Sequence, residues 1–168
     1  KPGDTLLLQF GHNDMKDRAP DALATYRANL KALVARTRAR GGTPVLVTSM
    51  ERKAGVKAPT LGGYPDTVRA VAREDQVALL DLHAMSLTLY RALGAELDRA
   101  FQDGSHHNNY GSYQLARCVA AGLAESRLPA AAFLLEEARN FDPARPDPAD
   151  AFQVPPSPAR AAATPDGS

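Results

Sequence analysis

Only one cysteine, Cys118, and no tryptophan occur among the 168 residues. A lone thiol excludes an internal disulfide and any cysteine-rich zinc site, and it leaves the compartment open. No apolar stretch approaches the roughly 20 residues of a membrane-spanning helix, so a helical integral membrane protein is excluded. An excess of one charge is missing too: 20 Lys and Arg face 19 Asp and Glu, and no basic run is interleaved with aromatics. Without that electrostatic footprint, nucleic acid is not an expected partner. The amino terminus lacks both Met and the basic-then-apolar pattern of a secretory signal. Lys1-Pro2-Gly3-Asp4 leads straight into a strand-like run, and a chain starting there is expected to have lost a segment upstream. What is present, 44% hydrophobic and 23% charged residues, suits one globular domain and excludes disorder along the whole length.

Thr5 to Phe10 is a nearly continuous apolar run bounded by Pro2-Gly3-Asp4 and Gly11, the pattern of a strand buried on both faces. From Asp21 to Arg40, Leu23, Tyr26, Leu30, Leu33 and Val34 recur at three- and four-residue spacing, which predicts an amphipathic helix stopped by Gly41-Gly42. Pro44 to Ser49 reads as a second buried strand, and Met50 to Gly63 as an irregular connection. Pro65 to Glu74 is in helical register, Val77 to Asp81 is a third buried strand, and His83 to Leu97 is helical. A polar loop from Phe101 to Asn109 leads into an apolar helix from Tyr110 to Ser126, and Leu128 to Arg139 adds a short helical segment. Buried strands alternating with amphipathic helices predict an α/β fold, a parallel sheet with helices on both faces. From Phe141 onward, seven of the 13 prolines interrupt regular structure. The expected organisation is a domain over 1–140, an extended segment over 141–158 anchored by Phe141, Phe152 and Val154, and a disordered tail over 159–168.

In open parallel sheets, ligands sit at the carboxyl ends of the strands. Gly11-His12-Asn13-Asp14 follows the first strand at once. Glycine permits close approach there, and the Asn amide carries two donors suited to a developing oxyanion; Asn13 and Asp14 could equally form an Asx turn that caps the next helix. The second cluster is Asp103-Gly104-Ser105-His106-His107-Asn108-Asn109-Tyr110-Gly111. An Asp three residues before a His can fold back onto one ring nitrogen and leave the other facing a cleft, two thirds of a nucleophile-activating relay. The same spacing also serves a capping turn or half of a metal site.

Gln9-Phe10-Gly11-His12-Asn13-Asp14 resembles the third conserved block of the SGNH (GDSL-type) hydrolases, and Asp103-x-x-His106 resembles their fifth. The likeness is strongest to the rhamnogalacturonan acetylesterase branch of carbohydrate esterases. It continues through Thr25 to Leu30, Pro44 to Met50, Val77 to Leu82 and His106 to Gly111, and so covers roughly residues 1 to 158. The resemblance implies a three-layer α/β/α sandwich, SGNH/flavodoxin-like and N-terminally incomplete. It implies Asn13 as an oxyanion donor with Gly11 and His12 beside it, His106 as general base and then acid, and Asp103 as the group orienting His106. It further implies an acetylated polysaccharide of plant cell-wall pectin as substrate, no cofactor, and an extracellular or periplasmic location.

The family's nucleophilic serine, in a Gly-Asp-Ser block, and its oxyanion glycine both precede the first strand visible here, and no Gly-Asp-Ser occurs in this sequence. Asp103-Gly104-Ser105 holds that set in the wrong order, beside the His it would have to face, so Ser105 reads as a loop residue; Ser49 reads as a hydrogen-bonding strand terminator. The expectation is the carboxyl-terminal part of a serine esterase, inactive by itself, with the apolar edge of its first strand exposed. A non-catalytic carbohydrate-binding or interaction module is the alternative, and a nucleotide-binding fold is disfavoured by the lack of a Gly-rich phosphate loop. His83 and His107 read as structural or locally bonded, Cys118 as a buried small hydrophobe, and a metal held by Asp103, His106 and His107 lacks a further ligand pair at a recognised spacing.

Overall fold

The computed structural model describes residues 1–126 and 128–153. Strands β1 (Thr5–Gln9), β2 (Thr43–Val47) and β3 (Ala78–Leu80) form one sheet in that order, with both pairs parallel. Thr5 lies opposite Thr43 and Gln9 opposite Val47, while Val45 lies opposite Ala78. Parallel neighbours require crossovers. Helices α1 (Ala22–Ala39) and α2 (Tyr64–Glu74) provide them, and α3 (Leu82–Leu93), α4 (Asn109–Glu125) and a single turn, α5 (Glu136–Arg139), follow β3.

Alternation along β2 divides the core in two. Val45 and Val47 pack with Leu89, Tyr90, Leu115 and Cys118 of α3 and α4, whereas Leu46 packs with Tyr26, Leu30 and Val34 of α1 and with Val68 and Val71 of α2. The result is the α/β/α sandwich, because a strand sends successive side chains to opposite faces and each face needs its own helical cover. Among the described residues, no helix is long and apolar enough to cross a membrane. Cys118 is fully buried, and burial pushes its thiol up to about 12.

Local signals account for the helix ends. α1 buries Tyr26, Leu30, Val34 and Thr37 at three- and four-residue spacing, and Leu23 stays 39% exposed. It stops where the Gly42 N–H donates to Thr37 O and the Gly41 N–H to Arg38 O, a Schellman pair that puts Gly41 at φ +73°. The Asp81 carboxylate accepts from the Ala84 N–H to cap α3, and Asn108 Oδ1 accepts from the Gly111 N–H to cap α4. The helix predicted to reach Leu97 ends at Leu93, and the chain tightens into a 3-10 segment over Gly94–Ala100. Phe141 joins the core beside α4, the Asp147 carbonyl accepts from Tyr110 Oη (2.6 Å) and Gln114 Nε2 (2.9 Å), and the Phe152 ring lies 4.9 Å from that of Tyr113. Val154 and the tail expected over 159–168 lie outside the described residues.

The reading of the first strand as buried on both faces is corrected. Only Leu8 is buried in β1, while Leu6 is 45%, Leu7 40% and Phe10 47% exposed. β1 stands at the edge of the described sheet, so a strand whose composition suits an interior position has a neighbour on one side only. Exposed apolar edges template further pairing. These 168 residues, expressed alone, are therefore expected to self-associate as concentration rises; a monomeric size-exclusion profile from micromolar to submillimolar protein, with one cooperative unfolding transition, would contradict this.

Candidate active site

The chain leaves β1 through a turn held from two sides. The Phe10 carbonyl accepts from Ser49 Oγ (2.8 Å), just beyond β2, and from Tyr26 Oη (2.9 Å) on α1. Gly11 follows at φ +138°, and a Cβ there would stand 2.9 Å from Ser49 Oγ. Backbone conformation and space both exclude a side chain at this position. Ser49 is 4% exposed and tied to that carbonyl, as the strand-terminator reading had it. The Gly11 N–H donates to Asp14 Oδ2 at 2.9 Å, so Asp14 closes the turn, whereas Asn13 makes no side-chain cap. Asn13 Oδ1 instead accepts from Lys16 Nζ at 2.7 Å, which leaves the amide NH2 as its uncommitted end.

Asp103 and His106 meet. The loop before α4 is pinched by an antiparallel bridge between Phe101 and His107 and by the Gln102 N–H donating to His106 O at 2.8 Å. At its tip Asp103 Oδ1 accepts from the Ser105 and His106 N–H groups, 2.7 Å each, and Asp103 Oδ2 lies 2.7 Å from His106 Nδ1. The two backbone donors, then the imidazole, hold the Asp103 carboxyl well below the usual carboxylate range. A carboxylate can only accept, so Nδ1 carries the proton and Nε2 of a neutral His106 keeps its lone pair. Both side chains are open to solvent, 77% exposed for His106 and 55% for Asp103.

His107 is held differently from the local contact expected of it. Its ring lies 4.2 Å from Phe101 and 5.8 Å from Tyr90, and Nε2 is 2.7 Å from Tyr90 Oη. Tyr90 Oη donates to the Glu51 carbonyl at 3.0 Å, so the proton between Tyr90 and His107 comes from His107. Burial, with the neighbouring His12 and His106, lowers His107 to about 4.

Glu51, absent from the sequence-based candidates, is 1% exposed. Its carboxylate accepts from the Arg52 N–H (2.8 Å), the Thr60 N–H (3.3 Å), Thr60 Oγ1 and His83 Nε2 (3.3 Å). Burial pushes this carboxyl up, but the hydrogen bonds outweigh it and the net shift is downward. His83 Nδ1 faces Arg69 Nη2 at 3.1 Å, and Arg69 forks onto Asp81 through Nε (2.9 Å) and Nη2 (2.8 Å). Since Arg only donates, His83 Nδ1 accepts and its Nε2–H serves Glu51. His83 is thus structural, joining two carboxylates to one guanidinium. The available signal was position: Glu51 and Arg52 lie in the loop that leaves the carboxyl end of β2, where polar residues of a parallel sheet face the ligand side.

A cavity of about 910 Å³ opens between the β1–β2 face and α4. Asn13, His12, His106, His107 and Arg52 line its polar end, and Leu7, Val47 and Leu115 its apolar floor. Ser105 reaches the rim from the exposed loop, whereas Gly11, expected beside the substrate, is buried against Ser49 and Tyr26 and does not line the cavity. His12 Nε2 and Arg52 Nε are buried without a hydrogen-bond partner among the described residues. Burial, and then Arg52, lower His12 from its usual value. Among the described residues, no group of three or more His, Cys, Asp or Glu is arranged to hold a metal ion. An imidazole oriented by a carboxylate, a free amide donor and an apolar-floored cleft are parts that acyl-transfer chemistry uses.

Comparison with known proteins places the chain in a family. Residues 1–115 match the model of the GDSL-like lipase/acylhydrolase family. Over 147 residues the chain is 35% identical to rhamnogalacturonan acetylesterase RhgT of Bacillus subtilis (strain 168), covering 76% of this chain and 63% of RhgT. It is 29% identical over 151 residues to the probable rhamnogalacturonan acetylesterase YesY of the same organism, covering 82% and 70%. The crystal structure of YxiM from Bacillus subtilis shares the fold, with a TM-score of 0.69 and 23% identity over 77% of this chain and 39% of that one. The chain thus spans less than two thirds of the length of RhgT.

The buried imidazole has a consequence for stability. With His107 at about 4 in the folded chain and near 6.5 in the unfolded one, the unfolded state binds more protons between those values. Stability is full above about pH 6.5 and falls as pH drops through about 4. Urea unfolding between pH 7 and pH 4 is expected to show this loss, and His107→Gln to flatten it; an equal slope in both proteins would contradict the assignment.

Proposed function

The chain belongs to the GDSL-like lipase/acylhydrolase family, and we propose from that premise that its cleft serves a serine acetylesterase acting on acetylated rhamnogalacturonan. The observation carrying this reading is the 2.7 Å contact between Asp103 Oδ2 and His106 Nδ1, at the mouth of the cavity that Asn13 also lines. The names of the relatives favour the substrate, and the absence of a Gly-Asp-Ser block from these residues favours a nucleophile carried upstream in the intact protein.

In this scheme the upstream serine Oγ attacks the acetyl carbonyl while His106 Nε2 takes its proton, and Asp103 stabilises the imidazolium that results. The Asn13 amide NH2, left uncommitted by the Lys16 contact to Oδ1, donates to the tetrahedral oxyanion. His106 returns the proton to the departing sugar hydroxyl. Water, deprotonated by His106 in turn, releases acetate and regenerates the serine. The reaction as written needs no metal or cofactor. Gly11 and His12 act on Asn13 and on the cleft wall, not on the bond that breaks.

Acetate release from acetylated rhamnogalacturonan and from 4-nitrophenyl acetate tests the proposal. The 168 residues alone are expected to be inactive, and the protein extended upstream through its serine block active. In the extended protein His106→Ala is expected to lower kcat by about 10³-fold or more, as removal of a general base does. Turnover by the short chain, or an active His106→Ala, would overturn the assignment. Silence of the extended protein on every ester, with retained carbohydrate binding, would favour the non-catalytic module.

A further inference from the structure

We propose that Arg52 is the specificity-determining residue of this cleft, the group that recognises a carboxylate of the acidic polysaccharide named above. The inference deepens the proposed function and rests on it for the identity of the sugar. It begins from a guanidinium without a matching charge. Arg52 follows Glu51, yet the Glu51 carboxylate is committed to the Arg52 N–H, to Thr60 and to His83, and none of its contacts reaches the guanidinium. The guanidinium's contact among the described residues is Nη2 to Met15 Sδ at 3.4 Å, and a thioether is a weak acceptor. Its Nε is buried and unpartnered.

Buried donors of native proteins normally have acceptors, so an orphan on a cavity wall marks where a ligand supplies one. A second orphan, His12 Nε2, stands on the same wall. A neutral imidazole nitrogen there suits a sugar hydroxyl, whereas Arg52 presents the planar fork that a carboxylate matches. The charge of the cavity agrees. Lys16 and Arg52 line it together with three of the four histidines, and no Asp or Glu does. Lys16 spends one donor on Asn13 Oδ1 and keeps its charge, so it adds to the positive field, while Arg52 alone of the two presents a planar fork. In a chain whose charges nearly cancel overall, this wall carries positive charge alone.

The position fits the chemistry of the site. The Lys53 N–H donates to Gly104 O at 3.2 Å, so the segment bearing Arg52 is tied to the loop bearing Asp103 and His106. A carboxylate held at Arg52 would therefore anchor the residue whose ester faces His106, or its neighbour along the chain.

The test uses the extended, serine-containing protein as wild type, Arg52→Gln and Arg52→Lys. Steady-state kinetics on acetylated rhamnogalacturonan and on neutral 4-nitrophenyl acetate are compared, with oligogalacturonate and its methyl ester as inhibitors of the second reaction. In Arg52→Gln the loss of kcat/KM on the acidic polymer is expected to exceed that on the neutral ester by roughly ten- to a hundredfold, chiefly through KM. Arg52→Lys is expected to recover part of it. Oligogalacturonate should inhibit the wild type more strongly than its methyl ester does, and that preference should vanish in Arg52→Gln. Equal losses on both substrates would mean a structural role and overturn the proposal, as would equal inhibition of the wild type by the acid and the ester. Should the wild type cleave 4-nitrophenyl acetate and leave the polymer untouched, the proposed function fails while the inhibitor preference still decides Arg52. Should it cleave neither, calorimetric binding of the acid and its ester to wild type and Arg52→Gln decides in the same way.

Discussion

The carbonyl of Phe10, held by Ser49 Oγ and Tyr26 Oη, is the constraint on which the ligand-binding end of the sheet depends. A strand end in a parallel sheet has no ladder partner to set its exit direction, and side chains from elsewhere must supply one. Ser49 comes from the end of β2 and Tyr26 from α1, so both layers on that side converge on one oxygen. The exit is then forced through Gly11 at a backbone angle and a spacing that exclude a Cβ. His12 and Asn13 reach the cavity because that turn is made this way.

A second set of polar contacts supports the facing wall. Glu51 and Asp81 are carboxylates drawn in by Arg69 and His83, with Thr48, Thr60 and backbone N–H groups filling the remaining acceptor sites. Buried charge is tolerated only when it is well hydrogen-bonded or paired; in this network Glu51 meets the first condition through Arg52 N–H, Thr60 and His83, and the part-exposed Asp81 the second through Arg69. Tyr90 carries it onward, since its hydroxyl joins the Glu51 carbonyl to His107. The wall that presents Arg52 and the loop that presents His106 are thus supported by the same polar network. Glu51 is spent inside this network, which is why the charge of Arg52 faces the cleft uncompensated.

Much of the fold was legible in the residues. Val45, Leu46 and Val47 announced a strand covered on both faces, and Tyr26, Leu30 and Val34 a helix with one buried face, because burial follows the period of each element. The Asp103 to His106 spacing predicted a contact that needs only one turn of chain, and the contact is there. β1 was misread because its composition records a strand made for two covered faces, while its place at the edge of the described sheet depends on what pairs with it. Glu51 and Arg52 were passed over within an irregular connection, since no local period marks a charge that is buried by residues about 30 positions away.

By itself, then, the sequence determined the elements whose signals are local: the order of strands and helices, the glycine stops and caps, and the folding back of Asp103 onto His106. Tertiary structure alone decided which strand stands at the edge, which histidine turns inward to Tyr90, and which arginine lines the cleft without a carboxylate beside it. The physical reason is range. Periodicity and capping act over a few residues, whereas pairing of charges and exposure of an edge are set by segments that meet only after the sheet has formed.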